Sequence, residues 1–121
     1  MPDYYTNDDE IAAVIDGFEN CTTSKEEFTH SSHLTVATYY LRDSSPDEAF
    51  HKMSFGLLKF LDHCDVGRRK YNEKLTRKWI TLITNVIAQT KPDASRFEVT
   101  NVVLARLGEL QIAVAHNDEN V

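Results

Sequence analysis

Ser45-Pro46-Asp47-Glu48-Ala49-Phe50-His51-Lys52-Met53-Ser54-Phe55-Gly56-Leu57-Leu58-Lys59-Phe60-Leu61 decides the fold of this chain. Ser45 supplies an N-cap hydroxyl, Pro46 fits the first helical position, and Glu48 stands where a capping box needs an acceptor. Behind that start, Phe50, Met53, Ser54, Leu57 and Leu61 recur at the helical period and make one stripe. The helix is expected to stop before Gly67.

The same period runs outward in both directions. Upstream, Asn7 caps a helix over residues 8–20, with Asp8, Asp9 and Glu10 at its positive end and a stripe of Ile11, Val14, Ile15 and Phe18. A second helix ends near Arg42 and has two possible starts: the Ser24-Lys25-Glu26-Glu27 capping-box pattern, or Thr29 capping a helix that begins at His30. Its stripe is His30, His33, Leu34, Ala37 and Leu41, with Tyr40 at the margin. Downstream, residues 72–90 form a fourth helix ending before Pro92, with Leu75, Trp79, Leu82, Ile83 and Val86 on one face and Asn72 and Thr76 on that same face. Residues 97–115 form a fifth, with Val103, Leu107, Leu110 and Val114. Strict alternation is absent, and glycine (4) and proline (3) are too scarce for a strand-and-turn architecture. The expectation is one all-α domain over residues 1–121, a mostly up-and-down bundle of about five helices with polar tails near 1–7 and 116–121.

A chain of 121 residues, 41% hydrophobic and 26% charged, can bury a core without staples. Its formal net charge of -6 argues against nucleic-acid binding and against anionic membrane surfaces. No apolar run approaches the roughly 20 residues of a membrane span. The first ten residues are polar and acidic, unlike a signal peptide, so a cytoplasmic location is expected. Cys21 and Cys64 lack CxxC spacing and read as reduced thiols.

Two clusters place polar groups on apolar stripes: Phe28-Thr29-His30-Ser31-Ser32-His33-Leu34 and Tyr71-Asn72-Glu73-Lys74-Leu75-Thr76. Polar side chains there must find partners. Three readings stay open. His30 and His33 form a core hydrogen-bond network with Tyr71, Asn72 or Thr76 that fixes helix register. Alternatively, His30, His33, Tyr71, Asn72, Thr76 and Trp79 line a pocket for a small polar ligand, with Tyr40 also a wall candidate. Third, and below the pocket, the two histidines ligate a metal with help from Glu27, His51, His63 or Glu73, although no HExxH pattern supports it. Whether a reaction occurs does not follow; were there one, a histidine would be the acid–base group. No cofactor motif is present.

Gly67-Arg68-Arg69-Lys70 with Lys74, Arg77 and Lys78 is a local basic cluster. It reads first as a solvated face balanced by Asp62, Asp65 and Glu73, and second as an anion site. His51, His63 and His116 read as surface histidines. The alternative function is a homodimeric interaction module using the fifth helix's narrow stripe.

The quoted segments, with Ser45-Pro46-Asp47-Glu48-Ala49 between them, resemble a group of small bacterial proteins of unknown function. That group carries Phe/Trp-Thr-His-x-x-His-Leu followed by Tyr-His-Glu-Thr-Leu-Thr-Arg-x-Trp. The likeness covers about residues 25–85 and implies that His30, His33, Tyr71, Thr76 and Trp79 act as one constellation. This chain has Asn72 where the group has histidine and Lys74 where it has threonine. Asparagine hydrogen-bonds but does not shuttle protons near neutral pH.

Overall fold

Five N-caps set the helix starts. The structure is a computed structural model and describes residues 5–110. Within them lie α1 (Asp8–Glu19), α2 (His30–Asp43), α3 (Pro46–His63), α4 (Glu73–Ala88) and α5 (Arg96–Leu107), with one 3-10 turn over Arg68–Lys70 leading into α4. Asn7, Thr29, Ser45, Asn72 and Ser95 each accept a first-turn backbone N–H through a side-chain oxygen. Such caps supply partners that the helix interior cannot give its opening amides.

The choice between two starts for α2 resolves to Thr29. Ser24 and Glu27 do make their reciprocal pair, at 3.2 and 3.3 Å, but it closes a single turn. The next start is Thr29, whose hydroxyl takes the Ser32 amide while Ser32 returns its own oxygen to the Thr29 N–H.

These elements build an all-α single-domain bundle. Its arrangement centres on α2, which packs against α1, α3, α4 and α5; around it α1 meets α3, α3 meets α4, α4 meets α5, and α5 meets α1. In its middle α2 therefore has no solvent face: Leu34, Thr35, Val36, Ala37 and Thr38 are all buried in succession. A one-sided stripe was the expectation for this helix. Full enclosure instead demands small or apolar residues all round, and polar ones only if satisfied locally. Thr35 and Thr38 meet that demand by donating to the carbonyls of Ser31 and Leu34 at 2.8 and 2.7 Å. Thr35 Oγ1, its proton so placed, accepts from Tyr5 Oη at 3.0 Å.

Other faces are turned from their expected setting. α3 buries Ala49, Phe50, Met53, Gly56, Leu57 and Phe60, leaving Ser54 and Leu61 half-buried, because Gly56 and Phe60 receive Phe18 of α1. α4 begins one residue later than expected and buries Thr76, Ile80, Ile83 and Val86, so Leu75, Trp79 and Leu82 sit at the edge of its contact. α5 stops at Leu107, where Gly108 is the C-cap. Residues 111–115, the expected remainder of that helix with Val114, lie outside the described residues, as do His116 and the tail. Of the stripe proposed as a dimer surface, Val103 and Leu107 are buried against the other helices and Leu110 is exposed.

Cys21 and Cys64 are free thiols. No helix among the described residues is long and apolar enough to cross a membrane.

Candidate functional site

The two polar motifs are the starts of α2 and α4, and they share one hydrogen-bond design. In α2, Thr29 is the N-cap and His33 stands four residues on. In α4, Asn72 is the N-cap and Thr76 stands four residues on. The Thr29 carbonyl accepts the His33 amide at 3.1 Å and is met by His33 Nδ1 at 3.2 Å. The Asn72 carbonyl accepts the Thr76 amide at 3.0 Å and the Thr76 hydroxyl at 2.9 Å. In both helices the side chain one turn in bonds back onto the cap.

Phe28 completes the first start. As the residue before the cap it packs on the residue at the fourth helical position, the arrangement of a hydrophobic staple, here with the His33 ring as the partner at 4.5 Å. The other side of Phe28 stacks on Phe18 at 4.9 Å and meets Phe60 at 5.0 Å. The motif thus joins α2 to α1 and α3 through one aromatic cluster.

Between α2, α3 and α4 lies a cavity of about 300 Å³. α2 and the residue before its cap contribute Phe28, His30, His33, Leu34 and Ala37. α3 contributes Met53 and Leu57. α4 contributes Leu75, Thr76, Trp79, Ile80 and Ile83. His30 is exposed at the rim, its ring edge-on to Trp79 at 4.8 Å and its Nε2 3.4 Å from the Leu107 carbonyl. Burial pushes the His33 imidazole down to about 4, the His30 ring adding to the effect and the Thr29 carbonyl opposing it. His33 is accordingly neutral near neutral pH.

Of the residues picked out by sequence, His30, His33, Thr76 and Trp79 come together at this cavity. Tyr71 and Asn72 do not line it. Tyr71 bonds through its hydroxyl to Ser54 on α3 at 2.6 Å, and the Asn72 side chain takes the Leu75 amide at 2.9 Å. Asn72 is the N-cap of α4 and has extended backbone, so the helical wheel that put it beside Thr76 does not apply. Tyr40 is also elsewhere, donating to Glu19 at 2.6 Å beside an open groove; burial first and Glu19 second raise its phenol above the ordinary range. Phe28 was the wall residue that helix periodicity could not assign. An apolar residue before a Thr cap, five before a packing partner, is the staple signal that finds it.

Among the described residues no group of three or more His, Cys, Asp and Glu side chains could hold a metal ion. His51 and His63 are exposed on α3, and Arg68 is paired with Asp62 at 2.8 Å. No protein-family model, no curated protein and no solved structure matches the chain.

Proposed function

We propose that this protein binds a small molecule in the cavity between α2, α3 and α4. The observation that carries the reading is an apolar cavity of about 300 Å³ with His33 and Thr76 as polar groups within largely apolar walls. That volume and composition belong to the class of preformed ligand sites. The walls favour a ligand more apolar than the polar stripes of the sequence suggest. His30 and Trp79 at the rim give such a ligand an aromatic entrance. The resemblance to the bacterial group implies a constellation of His30, His33, Tyr71, Thr76 and Trp79, of which all but Tyr71 line the cavity.

The chain has one tryptophan, and it lines the cavity. Trp79 fluorescence therefore reports occupancy directly. A screen of small apolar compounds should find binders that shift this emission and raise the melting temperature. Ala37→Leu, which extends a side chain into the cavity, should weaken them. Binders unaffected by that change, in a variant whose circular dichroism is native, would move the site elsewhere.

A second reading, a homodimeric interaction module, has one observation in its favour: Phe55 on α3 is 72% exposed beside the groove formed with Tyr39, Tyr40, Lys52 and Lys59. Light scattering across concentration tests it, and a strict monomer removes it.

A further inference from the structure

Three polar side chains that α2 and α4 present to the cavity, His30, His33 and Thr76, have a proton directed at a main-chain carbonyl. A carbonyl oxygen can only accept, so the nitrogen or hydroxyl facing it is the donor. His33 Nδ1–H is thereby held on the Thr29 oxygen, His30 Nε2–H on the Leu107 oxygen, and the Thr76 hydroxyl proton on the Asn72 oxygen. What remains on each group is acceptor capacity: His33 Nε2, His30 Nδ1 and the lone pairs of Thr76 Oγ1. His33 Nε2 has no hydrogen-bond partner among the described residues, nor is it a sealed, partnerless atom, so it is open to an incoming group. The first-turn amides of Ser32 and Leu75 are already taken by the caps. The Trp79 indole N–H is the remaining donor in the wall. No Lys, Arg, Asp or Glu lines the cavity among the described residues.

Three consequences define the ligand. Acceptors call for a donor on the ligand. Without a lining cation, a carboxylate would lose its hydration with nothing to offset the loss, and without a lining carboxylate an ammonium would do the same. The size follows by proportion: a cavity of about 150 Å³ with apolar walls holds one benzene, so about 300 Å³ suits roughly ten to twelve non-hydrogen atoms. Resting on the reading of this cavity as a ligand site, we propose that it takes a neutral aromatic alcohol of two-ring size, with the ligand hydroxyl donating to His33 Nε2 and the rings packed between Leu34, Met53 and Ile83. The neutrality of His33 agrees with this, since a protonated ring would have no acceptor to offer.

The test compares 2-naphthol, naphthalene and 2-naphthoate by titration calorimetry at near-neutral pH, following the Trp79 indole and Met53 methyl resonances to locate binding. 2-Naphthol should bind, naphthalene about tenfold more weakly for want of one hydrogen bond, and 2-naphthoate about a hundredfold more weakly or not at all. In His33→Phe the advantage of naphthol over naphthalene should shrink to about twofold or less while naphthalene still binds. The Thr29 carbonyl keeps the amide of residue 33 as its partner, and a native amide spectrum verifies the fold. Naphthalene binding as tightly as naphthol, an unchanged preference in His33→Phe, or naphthoate binding best would overturn the ligand class and leave the pocket standing. If none of the three perturbs Trp79 or Met53, the pocket itself falls.

Discussion

The carbonyl oxygen of Thr29 serves both nitrogens that His33 can turn toward it, the amide at 3.1 Å and ring Nδ1 at 3.2 Å. This one relationship fixes the tautomer, because Nδ1 must carry the proton, and it anchors the ring against Phe28. A histidine held this way behaves as a structural acceptor at Nε2.

The pH dependence follows from that state. The folded-state value of His33, about 4, lies below its ordinary 6.5, so the unfolded chain binds the extra proton first. Stability from this group is complete above pH 6.5 and is lost as pH falls toward 4. His30 on the same helix is the one other titratable side chain in the cavity wall, and α3 and α4 bring no charged residue there. Between these limits the effect should reach about 3 kcal/mol, with about 2 kcal/mol of it lost by pH 5. Denaturant melts of the parent and His33→Phe, taken from pH 7 down to pH 5, should show the parent losing stability more steeply. Parallel curves would mean that His33 protonates freely in the folded protein.

Asn72 gives a prediction of a different kind. Its side chain caps α4 by accepting the Leu75 amide at 2.9 Å, and it lines no part of the cavity. Asn72→Ala should cost about 1 kcal/mol, and Asn72→Asp very little. Both variants should keep the parent's affinity for a cavity ligand. A large drop in affinity with little loss of stability would return Asn72 to the binding site.

Gly56 marks the tightest crossing of α1 and α3. A Cβ there would stand 2.5 Å from the Phe18 ring, which is itself stacked on Phe28. Alanine would raise helix propensity by about 1 kcal/mol in isolation, yet the overlap should outweigh it and leave a net loss of about 1–2 kcal/mol. The Phe18–Phe28–His33 stack passes the disturbance on, so the His33 ring resonances should shift as well. A Gly56→Ala protein as stable as the parent would show that the ring yields freely.

How much of this could be seen beforehand depended on the range of the interaction. Asn7, Ser45 and the choice of Thr29 are local chemistry, written within four residues, and the helices follow from them. The face of α3 differs from its expected stripe because Phe18, far away in sequence, decides what Gly56 and Phe60 must accommodate. The enclosure of α2 was hidden for a similar reason. Thr35 and Thr38 lie off the expected stripe, and their hydrogen bonds to Ser31 and Leu34 are what allow them inside. The two polar clusters fall at the starts of α2 and α4, where His30, His33 and Thr76 line the cavity. Asn72 goes with Thr76 on a helical wheel because the wheel treats a capping residue as though it already lay on the helix surface, whereas Tyr71, ahead of the cap, bonds to Ser54.

The central position of α2 also bears on how the chain comes to be made. It is synthesised before α3, α4 and α5, and needs α5, the last helix among the described residues, to close its surround. Throughout translation of α3 and α4 the side of α2 destined for α5 has no native cover. Nascent chains halted before residue 96 should therefore be the ones a chaperone holds, and release should coincide with the emergence of Val99 and Val103, which are buried in the finished fold.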